Sequence, residues 1–195
     1  MKIILGSQSP RRHEILSYFA LPFTQVSSNF DEESQPYSGD PKKHALHLSQ
    51  KKAEAIAQNY PHDVILTADT TVSIEGKMLN KPADEKEAFA FLSLLAGRWQ
   101  SVFTGVTVRR GDKVFSDVEE TKMLFHKLTP EQIRAFHKHC YFLDKAGGYA
   151  IEKSGSLIVE RIEGCYYNVM GLPINTTARL LKKVGIDLWD HLKSF

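Results

Sequence analysis

Short apolar runs alternate along the chain with segments of helical period. The run Ile3-Ile4-Leu5 predicts a buried strand over residues 2–6, and apolar residues at helical spacing predict a helix over 10–20. "FTQVSS", residues 23–28, is a second strand candidate, and a longer helical pattern covers about 42–59. The stretch "DVILTADTTVSIEGK" reads as two strand-like runs that break near Asp69 and turn at Glu75-Gly76.

The second half of the chain continues this alternation. Two β-rich arms flank Arg110-Gly111-Asp112 and predict a hairpin. Strands that alternate with helices indicate an α/β class, and the hairpin predicts a mixed sheet. We expect one domain over residues 1–195. The other predicted elements are helices over 84–96 and about 130–139, a strand in "SLIVERI", and a last helix from Pro173 to about 184.

Composition narrows the class of protein. The chain has 195 residues, 42% of them hydrophobic, which is enough for a real core. No apolar run approaches the roughly 20 residues that a membrane span needs, so no membrane association is expected. A net charge of +2 is too weak to indicate nucleic acid. The chain runs straight into a strand-like segment, and its two cysteines make no disulfide framework, so we expect no signal peptide and a reducing compartment.

The segment "SQSPRR", residues 7–12, places two arginines where a helix macrodipole disfavours cations. Ser9 suits the N-cap and Pro10 the first helical position, so Arg11 and Arg12 fall in the first turn. A helix N-terminus after a strand binds anions, and these side chains could complete a phosphate cradle. The alternative is an accidental pair of arginines at the surface.

Lys52 interrupts an apolar helical stripe. Ala45, Leu48 and Ile56 mark the stripe, and Lys52 lies four residues from both of the latter two. A lysine on a buried face is costly unless it is paired or extends its ammonium group to solvent. Both interpretations remain open for Lys52.

Asp69 directly follows the apolar run "VILTA". In open α/β sheets, ligands bind beyond the carboxyl ends of strands. A carboxylate at this position could hold Mg²⁺ or accept a proton from water, and the alternative is a turn-capping aspartate.

Three loops carry further candidates. "NKPAD" places Lys81 before a helix whose cap is Asp84, and "DKAGGYAIE" places Asp144 and Lys145 before a glycine pair. For each of the two loops, an ordinary turn or cap is the alternative. "GCYYNVMGLP" buries Asn168 among apolar residues, where it either shapes the loop or contacts a ligand.

The sequence does not support a zinc site or the common motifs for nucleotide binding and nucleophilic catalysis. His44 and His47 lie one helical turn apart, and "HKHC" groups three possible ligands at 137–140, but neither has a second half with the spacing of a zinc site. The phosphate-binding sequence G-x-x-x-x-G-K-[ST], the dinucleotide fingerprint G-x-G-x-x-G and the nucleophile elbow G-x-S-x-G are all absent from the sequence.

Taken together, the motifs resemble those of the Maf family, nucleoside triphosphate pyrophosphatases first associated with septum formation. The resemblance spans about residues 3–182, and several motifs in one order are more specific than any alone. The matching segments are "SQSPRR", "KKA" at 51–53, "ADTTV" at 68–72, "NKPAD", "FTGV" at 103–106, "DKAGGYAIE" and "YNVMGLPI".

The resemblance implies a fold, a reaction and a location. It implies two lobes around a deep groove, related to the inosine triphosphatases, in a cytoplasmic protein that often forms a homodimer. It implies cleavage of a nucleoside triphosphate between its α- and β-phosphates by water, with a divalent metal cation, Mg²⁺ or Mn²⁺. By position, Asp69 matches the catalytic proton acceptor, with Glu33 and Asp144 as further acidic, metal-binding candidates. The matching substrate-binding residues are Ser9, Arg11, Arg12, Lys52, Lys81 and Lys145.

Specificity receives a mixed signal. A family branch that favours dTTP and UTP tends to have Thr after the catalytic Asp and Gln in "YGIQ". A branch that favours 7-methyl-GTP tends to have Gln and Glu at those positions. This chain has Thr70 with Glu152, and Arg11 is the third specificity candidate. Because the other motifs resemble the first branch, we expect pyrimidine triphosphates.

Two rival functions share the same groove. A non-catalytic nucleotide-binding regulator of cell division would bind nucleotide without turnover. A nucleotidyltransferase would attack the same α-phosphate with a sugar phosphate, and it would need a second substrate pocket, which no segment of the sequence indicates.

Overall fold

A seven-stranded mixed sheet forms the centre of the molecule. The computed structural model describes residues 2–32 and 34–194. The strands lie in the order β2-β1-β3-β5-β6-β7, and β4 pairs with β3 outside that path. Their bounds are β1 Ile3–Gly6, β2 Phe23–Val26, β3 Val64–Ile74, β4 Lys77–Leu79, β5 Trp99–Arg110, β6 Lys113–Phe125 and β7 Val159–Glu163.

Helices flank the sheet, so the predicted α/β class with a mixed sheet is confirmed. β1 pairs in parallel with β2 and β3, whereas β3, β5, β6 and β7 form antiparallel pairs. The predicted hairpin joins β5 to β6 with Gly111 in its turn. The α-helices are α1 Pro10–Leu16, α2 Pro41–Ala57, α3 Glu85–Leu95, α4 Pro130–His139, α5 Tyr166–Val169 and α6 Ile174–Lys182.

The predicted break near Asp69 is wrong. β3 is one strand of 11 residues, and it pairs with β5 from Val64 to Ser73 without interruption. The polar residues in its second half stay in the strand because the antiparallel ladder satisfies their backbone groups on the β5 side. Asp69 therefore lies in mid-strand. It nevertheless lies beyond the end of β1, whose last paired residue is Gly6, opposite Thr67.

The largest apolar cluster packs on one face of the sheet and includes Leu66, Val106, Met123 and Phe125. On the opposite face, α2 packs Ala53 and Ile56 against Ile4 and Ile65. The helix predicted over 10–20 is shorter than expected, because the chain leaves it after Leu16 to bond with the C-terminal segment. The strand in "SLIVERI" likewise begins only at Val159, after a short 3-10 helix. None of the helices in the described part of the chain is long and apolar enough to span a membrane.

Candidate active site

A deep groove of about 1060 Å³ opens where the parallel strands β1 and β2 end. The loops that follow these strands form one part of its lining. The other part comes from β3 and from segments later in the chain, around residues 144–152 and 169–171. β3 lies between the parallel and the antiparallel parts of the sheet. On the side opposite β5, its residues from Ala68 to Thr71 have no strand partner among the described residues, since β1 stops at Gly6 and β4 begins pairing at Val72. The groove therefore lies at the strand ends where an α/β sheet binds ligands.

An ion triad with two buried members lies in this groove. The Nζ atom of Lys52 lies 2.7 Å from Oδ1 of Asp69 and 2.9 Å from Oε1 of Glu32. Lys52 is only 5% exposed and Asp69 7%, whereas Glu32 is half-buried. Lys52 therefore does not extend its ammonium group to solvent, and the paired alternative is the one the structure contains.

Close packing of α2 against the sheet brings Lys52 to Asp69. His44, Leu48 and Lys52 follow one another at four-residue spacing and all line the groove. Gly105, the partner of Asp69 in the ladder, admits this approach because a Cβ atom there would collide with the backbone of Ala45.

Arg12 lies at the base of the groove and joins three segments. Its Nε donates to the carbonyl of Gly171 at 2.8 Å, and its two terminal nitrogens donate to the hydroxyls of Ser7 and Thr70, each at 3.0 Å. Burial lowers the pKa of the Arg12 guanidinium, while the nearby Asp69 carboxylate acts in the opposite direction. Each terminal nitrogen keeps a second N–H, so Arg12 both braces the groove and can donate to an anion.

The specificity candidates Arg11 and Glu152 lie together. Nη1 of Arg11 is 3.7 Å from Oε1 of Glu152, and both residues line the groove. The other carboxylate oxygen of Glu152 is buried and has no hydrogen-bond partner among residues 2–32 and 34–194. Thr70, the third candidate, also lines the groove, but its hydroxyl is engaged by Arg12 and by Thr104.

The remaining cationic candidates also reach the groove. Lys81 is exposed in its lining, and Ser9 is half-buried there. Lys145 donates to Asp144 at 2.6 Å and to the carbonyl of Tyr141 at 2.7 Å. The structure therefore brings one set of candidates to the lining of a single cavity, and their role in binding substrate stays a prediction: Ser9, Arg11, Arg12, Lys52, Lys81 and Lys145.

The acidic candidates have different outcomes. Glu33 lies outside the described residues, and the glutamate that reaches Lys52 is its neighbour Glu32, which the sequence analysis missed. Asp144 lines the groove in an ion pair with Lys145. Within residues 2–32 and 34–194, no three His, Cys, Asp or Glu side chains cluster as metal ligands would.

Two further residues clarify the earlier alternatives. His44, considered at first only as a zinc ligand, lines the groove, and burial lowers its pKa while Asp69 acts to raise it. Its four-residue spacing to Leu48 and Lys52 is the sequence signal that could have indicated this position. Asn168 is fully buried outside the groove lining, and its amide donates to the carbonyl of Val102 and to Thr121, so it shapes the loop.

Comparison with known sequences identifies the family. The family sequence model described as "Maf-like protein" matches residues 2–184. The chain belongs to the Maf family. The dTTP/UTP pyrophosphatase of Chlamydia felis (strain Fe/C-56) is 45% identical over 192 residues, covering 98% of each chain. The dTTP/UTP pyrophosphatase of Clostridium perfringens (strain SM101 / Type A) is 42% identical over 192 residues, covering 96% of this chain and all of that one.

Solved structures add information on the fold. The Staphylococcus aureus Ham1 protein aligns with a TM-score of 0.52 at 13% identity, covering 94% of this Maf-family chain and 100% of its own. At that identity the likeness concerns architecture alone, and it agrees with the expected inosine-triphosphatase-like fold.

Proposed function

We propose that this Maf-family chain is a nucleoside triphosphate pyrophosphatase that hydrolyses the α–β phosphoanhydride to a nucleoside monophosphate and pyrophosphate. The observation that carries the proposal is the Asp69 carboxylate, buried and held by Lys52 inside a groove lined with cations. A buried carboxylate with a charged partner in a cleft is typical of a catalytic group. The dTTP/UTP pyrophosphatases of Chlamydia felis and Clostridium perfringens are homologous over nearly their whole length.

The cations of the groove suit a triphosphate. Phosphoryl-type reactions depend mainly on positioning and on stabilising charge at the phosphate oxygens. Arg12 retains two N–H donors after bracing the groove, and a triphosphate would fill that donor capacity. We assign phosphate binding to Ser9, Arg11, Arg12, Lys52, Lys81 and Lys145.

Asp69 is the proposed proton acceptor for the attacking water. Its Oδ1 atom is bonded to Lys52, which fixes the carboxylate and leaves Oδ2 for the water. The proton leaves the water for Asp69 as oxygen attacks the α-phosphorus, and pyrophosphate departs with the electrons of the broken P–O bond. The hydrogen bond from Lys52 orients the carboxylate for this step.

The same carboxylates fit a divalent cation. Asp69 and Glu32 both contact one ammonium group, so their oxygens converge on a point where positive charge is favoured. Mg²⁺ is commonly held by one or two carboxylates together with substrate phosphates, which agrees with this donor set. We assign Asp69 and Glu32 to Mg²⁺ or Mn²⁺, which when bound would neutralise charge on the phosphates. Asp144 lines the same groove but pairs with Lys145 and does not share the Lys52 ammonium group, so it stays a separate candidate.

The preferred base is proposed to be thymine or uracil, in line with the names of the two relatives. One observation supports a second candidate, 7-methyl-GTP. Glu152 has a buried carboxylate oxygen with no partner in the part of the chain that the structure describes, and a carboxylate only accepts hydrogen bonds. Guanine presents two donors on its pairing edge, whereas uracil and thymine present one.

Pyrophosphate release from dTTP, UTP, CTP and 7-methyl-GTP with Mg²⁺ or Mn²⁺ tests these assignments. We expect dTTP and UTP to have the highest kcat/KM. Nucleotide binding without pyrophosphate release from any of the four would contradict the enzyme and favour a binding regulator. The best turnover with 7-methyl-GTP would replace the pyrimidine assignment with the second candidate.

The wider expectations stay predictions. They are a single domain over residues 1–195, a homodimer, no nucleic-acid or membrane partner, and a cytoplasmic location. Cys140 and Cys165 are free thiols, which supports a reducing compartment.

A further inference from the structure

A buried hydroxyl lies directly beneath the groove. Thr104, on β5, has no exposed surface and does not line the groove. Its Oγ1 atom lies 2.9 Å from Oγ1 of Thr70, its partner in the β3–β5 ladder, and 2.9 Å from the carbonyl oxygen of Asn168. Thr104 thus links a groove residue to the short helix α5.

The direction of each hydrogen bond follows from the donors available. The carbonyl of Asn168 can only accept, so the single proton of Thr104 points to it. Thr104 must then accept from Thr70, so the hydroxyl proton of Thr70 points to Thr104. Arg12 donates to the Thr70 oxygen at 3.0 Å. Toward the groove, Thr70 therefore has one lone pair and no proton.

These hydrogen bonds close into a ring. The carbonyl of Asn168 also accepts from the backbone N–H of Gly171, and the carbonyl of Gly171 accepts from Nε of Arg12. Arg12 is thus linked to Asn168 by two routes, one through Thr70 and Thr104 and one through Gly171. Gly171 has a φ of 103°, and a Cβ atom on it would come within 3.3 Å of both Arg12 Nε and Thr70 Oγ1. The ring is packed so tightly that each member constrains the next.

We propose that Thr104 is a positioning residue for the nucleotide site, acting through Thr70 on the orientation of Arg12. The inference rests on the proposed pyrophosphatase function and deepens it. Without the Thr104 hydroxyl, the Thr70 proton has no internal acceptor and turns toward Arg12 or the groove. A proton turned toward Arg12 removes the acceptor that Arg12 uses. A proton turned toward the groove makes Thr70 a donor to the substrate where it was an acceptor.

Thr104→Val tests the proposal, since valine keeps the shape and removes the hydroxyl. We expect kcat/KM for dTTP to fall about tenfold, the scale of one hydrogen bond in a buried network. The affinity for the non-hydrolysable α,β-imido analogue of dUTP, measured by calorimetry, should fall by a similar factor. Thr107→Val is the matched control, because Thr107 is also a fully buried threonine of β5 and bonds Ser49 and Ser116 outside the groove lining.

Two further variants separate positioning from general packing. Thr104→Ser restores the hydroxyl and should return kcat/KM to within about twofold of wild type. If Thr104 acts through Thr70, Thr104→Val should have little added effect on kcat/KM in a Thr70→Val background, because the two changes interrupt one chain.

The outcomes decide the proposal in both directions. Thr104→Val with wild-type turnover and analogue affinity would overturn it, as would equal losses in Thr104→Val and Thr107→Val. Full additivity with Thr70→Val would also overturn it. Absence of turnover in the wild-type chain would instead contradict the proposed function, and analogue affinity would then still decide the role of Thr104.

Discussion

The Nζ atom of Lys52 lies 2.7 Å from Oδ1 of Asp69, and both side chains are buried. This ion pair joins α2 to the central strand β3. Asp69 lies in the stretch of β3 between Thr67, where pairing with β1 ends, and Val72, where pairing with β4 begins. The same ion pair therefore affects both the stability of the fold and the proposed chemistry. Asp69 needs its negative charge to act as a base, and a buried negative charge is tolerated only with a partner such as Lys52.

Asp69→Asn should abolish most turnover while nucleotide still binds. Asparagine keeps the size of the side chain and removes its charge and basicity, so kcat should fall at least about 100-fold, the lower range for a general base. Arg12, Lys81 and Lys145 are unchanged and should keep the affinity for the α,β-imido analogue of dUTP, measured without divalent metal, near that of wild type. Pyrophosphate release and calorimetry measure the two effects separately.

Asp117→Asn is the matched control for this experiment. Asp117 is a partly exposed carboxylate of β6 that pairs with Arg179 outside the groove lining, so its replacement should leave kcat unchanged. Near-normal kcat in Asp69→Asn would contradict the assignment of the base and direct the search to Glu32 or Glu33.

Lys52→Met should destabilise the protein and make its stability depend on divalent metal. The substitution leaves the Asp69 carboxylate buried without its partner and close to Glu32, a loss of about 3 to 5 kcal/mol by analogy with other broken buried pairs. Mn²⁺ could then replace the missing positive charge between the two carboxylates. Thermal unfolding should show a larger rise in Tm on adding Mn²⁺ for the variant than for wild type.

Lys51→Met provides the comparison, since Lys51 is the adjacent lysine of α2 and pairs with Glu54 at the surface. Its Tm should match that of wild type with or without Mn²⁺. An equal Mn²⁺ effect on the Lys52 and Lys51 variants would contradict the assignment of Asp69 and Glu32 to the metal.

Local patterns predicted α2, α3, α4, α6 and the hairpin well because each carries its own signals. α4, for example, has a capping box between Thr129 and Gln132 in addition to its apolar period. The break predicted near Asp69 was wrong because Asp69, Thr70 and Thr71 are polar and interrupt the apolar pattern of the strand. The antiparallel ladder with β5 holds them in the strand, and such long-range pairing leaves no periodic signal near Asp69.

The cationic residues of the site were predicted from their match to the family motifs, but the residues that they contact in the protein were not predicted. From the sequence, Arg12 is a cation placed against a helix dipole. The structure also makes it the hydrogen-bond link between Ser7, Thr70 and Gly171, which lie far apart in the chain. Glu32 was missed for a related reason, because a glutamate in a polar loop carries no signal that it will fold back onto Lys52.

Glu152→Gln should shift the substrate preference toward pyrimidine triphosphates. Glutamine adds a donor where Glu152 offers only acceptors, and uracil and thymine carbonyls can accept from it. The substitution also weakens the contact with Arg11, which lies 3.7 Å away, and frees its guanidinium for phosphate. The ratio of kcat/KM for UTP to that for 7-methyl-GTP should rise by about tenfold, the scale of one exchanged hydrogen bond.

Glu160→Gln on the partly exposed strand β7 serves as the control and should leave that ratio unchanged. The same ratio in wild type and Glu152→Gln would remove Glu152 from the specificity determinants.

His137 should make the folded state less stable in mild acid. Burial lowers its pKa below the ordinary value of 6.5, against smaller opposing effects of the Gly148 carbonyl and Glu85. As the pH falls below that value, the unfolded chain takes up a proton that folded His137 resists, so unfolding becomes easier by up to about 1.4 kcal/mol per pH unit. The stability is lost toward acid and regained as the pH rises.

His137→Gln isolates this contribution because the amide can still donate to the carbonyl of Gly148, which Nε2 of His137 contacts at 3.2 Å, and cannot titrate in this range. The backbone N–H of Gly148 donates to the carbonyl of Lys145, which lines the groove. The fall in Tm between about pH 7.5 and 5.5 should be smaller in His137→Gln than in wild type. His139→Gln, an exposed histidine of the same helix, should keep the wild-type fall, and an equal fall in all three proteins would assign the acid sensitivity to the carboxylates instead.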